Sequence, residues 1–236
     1  MELNAVTIEM LKDGTIETLY MVALSSALSY LIGIPLGILL IVTDKDGIRP
    51  VPAFNRILGL VINLLRSIPF IILLIMILPL TKLIVGKVTG ANAVVVPLVL
   101  SASPYIARMV ESSLKEVNAG VIEAAKSMGA STMQIIWKVL LPEAKPSLLV
   151  GAAISITTIL GYSTMAGYAG GGGLGDIAIR YGYYRYEEEM MLITVVLLVI
   201  IVQLIQIGFG RGPDTKLIIQ GAAAPKTIII RGGQEL

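Results

Sequence analysis

The sequence predicts an all-α integral membrane protein with five transmembrane helices per chain. Three observations lead there. Apolar residues make up 56% of the chain against 14% charged, outside the balance of ordinary soluble domains. Several apolar runs reach the roughly 20 residues that a helix needs to cross the hydrocarbon core of a bilayer. The chain is also too small to hide all of those runs in one core, so lipid is the solvent that fits. Cysteine and histidine are both absent, which removes disulfides, thiol nucleophiles, the usual zinc ligands and the commonest general base. A formal charge of +2, with the basic residues scattered over loops, argues against nucleic-acid binding.

The N-terminal stretch 1–17 carries Glu2, Glu9, Asp13 and Glu17 against Lys12. That is the wrong sign for the leading region of a signal peptide, so the first apolar run is expected to stay in the mature protein. Crossings are predicted at 19–42, 57–80, 91–110, 146–165 and 190–209. The second is interrupted by Arg66, Ser67 and Pro69, and the third by Pro97, Ser103 and Pro104. Both are expected to bend or to pack against neighbours that satisfy the freed backbone groups.

Orientation follows from the basic residues. Lys45, Arg49 and Arg56, the group Arg108, Lys115, Lys126, Lys138 and Lys145, and Arg211, Lys216, Lys226 and Arg231 in the tail all fall on one side. They outnumber Lys12, Lys82, Lys87, Arg180 and Arg185 on the other. The richer side is cytoplasmic, which puts the N-terminus outside and the C-terminus inside. Arg66 lies within a crossing, in the half that enters from the inside. It either snorkels toward the cytoplasmic headgroups or serves packing or gating. No internal repeat is evident, so 1–210 reads as one transmembrane domain and 211–236 as a cytoplasmic tail without a legible role.

The connection 111–145 is far longer than a turn requires and reads as two short helices. Asn118 is suited to an N-cap, and Val121, Ile122, Ala125 and Met128 recur at helical spacing. Gly129 is suited to the C′ position that ends the helix. Ser131 or Thr132 then caps a second piece, carrying Met133, Ile136, Trp137 and Leu140, which Pro142 stops or bends. Small residues at Ala124, Ala125 and Gly129 would let another protein approach the backbone, so a docking element is the simplest reading.

The string Glu123, Ala124, Ala125, then Gly129, then Val139, Leu141 and Pro142 resembles the cytoplasmic EAA signature of ABC importer permeases, with Val139 where the family usually has Ile. Three further strings are similar to the methionine-uptake branch of that family: 66–70 (RSIPF), 104–111 (PYIARMVE) and 161–175 (GYSTMAGYAGGGGLG) followed by Tyr181, Gly182 and Tyr183. The likeness runs from about Gly14 to about Gln206. It implies a multi-pass permease of the bacterial cytoplasmic (inner) membrane that forms a homodimer and is not itself an enzyme. Two ATP-binding cassette ATPase subunits would hold ATP and Mg, and an extracytoplasmic methionine-binding protein would deliver substrate. It also implies that Glu123, Ala124, Ala125, Gly129, Leu141 and Pro142 form the coupling element that docks into the ATPase.

Other features weigh less. Gly170, Gly172 and Gly175 satisfy the spacing G-x-G-x-x-G, but no strand is predicted before them, so a compact external turn is expected instead of a dinucleotide site. No phosphate-binding G-x-x-x-x-G-K-[ST] string exists in the chain, which sends ATP to another polypeptide. Glu187, Glu188 and Glu189 are expected to be solvated, with no metal held. Arg66, Gly161, Tyr162, Ser163 and Met165 are the candidates for narrowing a pathway or gate, the last four also suiting helix packing at the end of the fourth crossing. A self-contained carrier or channel is the rival class; it would show internal repeats and intramembrane acids, and no acid lies inside a clear crossing. A membrane-embedded enzyme is a third class, for which the sequence shows no evident set of catalytic groups.

Overall fold

The computed structural model describes residues 5–210; the tail beyond them and its expected cytoplasmic placement lie outside the described residues. All regular structure among the described residues is helical. Helix α1 (Ala5–Thr43) leads, followed by α2 (Pro52–Arg66), α3 (Phe70–Met76), α4 (Leu78–Val85) and α5 (Ala91–Lys115). Next come α6 (Ala119–Ser127), α7 (Thr132–Ile135), a π turn (Ile136–Leu140) and α8 (Leu141–Glu143). The chain closes through α9 (Lys145–Met165), a 3₁₀ turn (Ala166–Ala169), α10 (Gly173–Ile177), a second π turn (Ala178–Tyr183) and α11 (Glu188–Gly210).

Among the described residues α1, α5, α9 and α11 are each long and apolar enough to cross a membrane, and the pair α2 and α3 makes a fifth if counted as one broken crossing. The second crossing is thus not a rod over 57–80. Its two helices meet at 95°, because Pro69 restricts Ile68 to extended conformations and cannot continue the ladder. The third crossing, by contrast, runs unbroken through both Pro97 and Pro104. It also continues to Lys115, so the long connection starts later than the apolar run suggested. Helix α1 starts well before residue 19: its 39 residues extend about 58 Å at 1.5 Å per residue, so its first turns stand clear of a hydrocarbon core roughly 30 Å thick.

Helix α5 is the hub, contacting α1, α2, α3, α4 and α9, and its Leu98, Ile106 and Ala107 are 0% exposed. Against it α1 presents Ser25, Ser29, Gly33 and Gly37, all buried and one helical turn apart. In lipid, apolar side chains gain little by leaving the solvent, so helices associate through small residues that let backbones meet closely. That is the geometry here: a Cβ on Gly37 would stand 2.7 Å from the Ala107 carbonyl oxygen, and one on Gly33 would stand 2.6 Å from Ile106 Cγ2. A second core joins Leu11 and Val22 of α1 to Leu160, Leu174, Ile177, Met190 and Ile201. Most of α11 faces outward, with Leu192, Val196, Val199, Ile200 and Leu204 exposed as lipid contacts require.

Replacing Gly37 with Leu should therefore cost about 1–3 kcal/mol through overpacking, read as a melting temperature lowered by roughly 2–12 °C in detergent. Gly208→Ala, where an added Cβ meets nothing within 4 Å, should change stability by no more than about 0.5 kcal/mol. Equal melting of the two variants would contradict the packing assigned to the α1 stripe.

Candidate functional site

The connection between α5 and α9 forms two short capped helices. Asn118 Oδ1 accepts the Gly120 N–H at 2.8 Å and opens α6. At the other end Ala130 N–H donates to Ala125 O at 3.1 Å and Gly129 N–H to Lys126 O at 2.9 Å. This reciprocal pair is a Schellman ending, which needs a left-handed residue at C′; Gly129 supplies it with φ +77°. Ser131 then caps α7, its Oγ accepting the Gln134 N–H while Gln134 Oε1 accepts the Ser131 N–H. Beyond it the ladder widens into the π turn, where Leu141 N–H donates to Ile136 O. Pro142 explains the widening, since it has no N–H to give and its ring crowds the carbonyl four residues back.

Burial divides this segment into an anchored and a free face. Ala125, Ile135, Ile136 and Leu140 join the main core, with Leu141 partly buried beside them. Glu123, Ala124, Gly129 and Pro142 are exposed. So are Met128 (80%), Met133 (62%) and Trp137 (64%), whose indole N–H donates to Met133 Sδ at 3.1 Å. An exposed cluster of large apolar side chains on a well-capped element fits a surface that meets another protein. Of the residues that helical spacing grouped together, the structure buries Ala125, Ile136 and Leu140 and leaves Met128, Met133 and Trp137 exposed.

The gate candidates fall into two groups. Arg66 ends α2 with its guanidinium 5.9 Å from the Tyr105 ring centre on α5. Four residues on, past the bend, Phe70 stacks on Tyr162 of α9, centroids 4.8 Å apart and planes 5° from parallel. The 66–70 break therefore touches both α5 and α9. Gly161 and Met165 are exposed on α9, with open space beside Gly161. Ser163 does not join them: it is buried, and its hydroxyl donates to Leu160 O at 2.7 Å.

The glycine-rich string is a tight turn packed on the first half of α1. Gly173, at φ +74°, donates its N–H to Glu17 Oε2 at 2.7 Å, and Leu174 N–H donates to Thr18 Oγ1 at 2.9 Å. No strand precedes it among the described residues, so the context of a dinucleotide site is lacking. Glu187 to Glu189 line an open depression of about 450 Å³ with Tyr186, and no group of metal-binding carboxylates forms among the described residues.

One polar cluster went unremarked in the sequence. Glu111 on α5 is buried, and its two carboxylate oxygens accept from Arg108 Nη1 and Lys115 Nζ, each at 2.7 Å. Arg108 also donates through Nη2 to Gly59 O at 2.9 Å and through Nε to Asn63 Oδ1 at 3.2 Å, both on α2. The signal was available, since an acid with bases three residues before and four after lies with them on one helix face. The Glu17 and Thr18 contacts, 156 residues from their partners, have no local signal.

Residues 18–210 match the family described as binding-protein-dependent transport system inner membrane component. The chain is 50% identical over 202 residues to the probable D-methionine transport system permease protein MetI of Vibrio cholerae, covering 86% of this chain and 90% of that one. It is 46% identical over 177 residues to the corresponding protein of Pasteurella multocida, covering 75% and 82%. A chain of the solved inward-facing MetNI methionine ABC transporter superposes with a TM-score of 0.87 at 45% identity, covering 89% of this chain and 97% of that one. On the family match over residues 18–210 and on these relatives, the chain belongs to the binding-protein-dependent transport system inner membrane components.

Proposed function

We propose that the chain, as a homodimer, forms the translocation pathway for methionine, D, L or both, in an ATP-driven importer of a bacterial inner membrane. The observation that carries the mechanism is the capped helix α6 with its exposed Glu123 and Ala124 and the apolar cluster beside it. The substrate rests on the relatives named as D-methionine permeases. In this reading residues 1–210 are the transmembrane domain, the N-terminus is outside, and the connection between α5 and α9 is cytoplasmic. Each copy docks α6 into a groove of an ATP-binding subunit, where ATP and Mg are held and hydrolysis occurs. A binding protein presents methionine at the opposite mouth.

The physics of docking follows from the two faces. Ala125, Ile135 and Leu140 anchor the connection to the spans, so a push on the exposed face moves the rod that follows. One unduplicated five-helix bundle does not readily enclose a path alone, so two copies about a two-fold axis are expected. The exposed stretch of α9 around Gly161 and Met165, beside the stacked Tyr162, is the surface assigned to the pathway. Closing of the ATPase pair would drive both coupling helices and rock the spans between inward-open and outward-open states.

Two outcomes test this. Proteoliposomes holding the chain, its ATPase and its binding protein should take up labelled methionine only with ATP and all three components, blocked by unlabelled methionine and not by leucine or glutamine. Uptake by the chain alone would overturn the class, and ATP-dependent uptake of another solute would replace the substrate. Trp137→Ala removes an exposed anchor, so the variant should insert with unchanged melting temperature and bind the ATPase about thirtyfold or more weakly, the scale of an interface hot spot. Undiminished binding would move the docking surface elsewhere.

A further inference from the structure

Docking of α6 explains where force enters, and leaves open how it reaches the other helices. Lys115 is the last residue of α5, and Asn118 caps α6. The cluster around Glu111 therefore sits at the root of the coupling helix. The Glu111 side chain is 9% exposed and that of Arg108 24%. Burying a carboxylate so far from water is costly unless its oxygens are paired and hydrogen-bonded, and here both are.

What this pairing spans is the informative point. Lys115 and Glu111 belong to α5, but the Arg108 fork leaves the helix and grips α2 at the Gly59 carbonyl and the Asn63 amide. The Lys115 ammonium lies 3.4 Å from Asp44 Oδ2, one residue past the end of α1. That second arm is half exposed and so is screened by solvent. The Arg108 arm is the stronger of the two and is the charged tie between α2 and α5; α2 is held near its start to α1, where the Asn55 amide donates to Leu40 O at 2.6 Å and to Thr43 Oγ1 at 3.0 Å. At its far end α2 leads through the bend at 67–69 to Phe70, which stacks on Tyr162.

We propose that Glu111 is a positioning residue for coupling: by fixing Arg108 it clasps α2 to the end of α5, so that displacement of α6 moves both helices together and reaches the Phe70–Tyr162 contact. This rests on the reading of α6 as the docking helix. Each part has a physical task. The carboxylate orients the guanidinium, the planar fork binds a carbonyl and an amide at once, and α2 acts as the lever to the bend. With the clasp open, the end of α5 moves without α2, and ATP is hydrolysed without matching transport.

The test compares uptake with ATP hydrolysis in proteoliposomes containing the complete transporter. Glu111→Gln keeps the shape and removes the charge, and should lower methionine taken up per ATP hydrolysed by about tenfold, while the ATPase still binds. Arg108→Lys keeps the ion pair but loses the fork that reaches Gly59 and Asn63, and should lower the same ratio. An unchanged ratio in both variants overturns the clasp. If Glu111→Gln does not assemble, the Arg108→Lys ratio alone decides, a fall supporting the proposal and wild-type coupling refuting it. Failure of the docking reading is separate: there the ATPase would not bind the wild-type chain through α6 at all.

Discussion

The close approach of α1 and α5 is the constraint on which the remaining structure depends. In lipid the hydrophobic effect does little to draw one apolar helix to another, so the association must come from contacts between backbones that side chains do not hold apart. Ser25, Ser29, Gly33 and Gly37 provide that contact along one stripe of α1. Once it forms, α5 has a fixed partner and offers its other faces to α2, α3, α4 and α9. Two prolines lie inside α5 without ending it, surrounded by the helices that pack on it.

The α1 and α5 pair also gives the molecule two ends that are held differently. Near the start of α1, Glu17 and Thr18 accept backbone N–H groups of the glycine turn, fixing α10 against the bundle. About 39 Å away along α1, by the helical rise, the buried Glu111 cluster holds α5 to α2. Between these fixed ends the joints are local and have identifiable causes. Pro69 makes the 95° bend between α2 and α3, and Pro142 makes the π turn before α8. Stiff helices joined at such places move as levers, which suits a chain whose exposed capped element lies at one end and whose aromatic contact lies deeper in the bundle.

What was legible in the sequence was local. Asn118 and Gly129 bracket α6 because capping is decided by residues within one turn of the helix end, and the bend at Pro69 follows from the chemistry of one ring. The length of α1 was not legible: Glu9, Lys12 and Asp13 ended the apolar run, yet a helix continues wherever propensity and water-exposed charges allow, and hydropathy reads only the part in lipid. The facing of Met133 and Trp137 was not legible, because periodicity reports that a stripe exists, while neighbouring helices decide which stripe is covered. Ser163 fell among the gate candidates by position, and the packing of α9 buries it with its hydroxyl satisfied by Leu160 O on the same helix. The grip of Arg108 on Gly59 crosses 49 residues and could not be found without the fold.

The central claim is that the exposed face of α6 lies in the cytoplasm against the ATP-binding subunit. The chain contains no cysteine, so a single thiol placed by Ala124→Cys reports on that face alone. The account predicts that in intact cells this thiol is shielded from a membrane-impermeant maleimide, and that in inside-out vesicles a short bifunctional reagent cross-links it to the ATPase. Labelling from outside the cell, or a reactive thiol that never cross-links in the assembled transporter, would contradict the account.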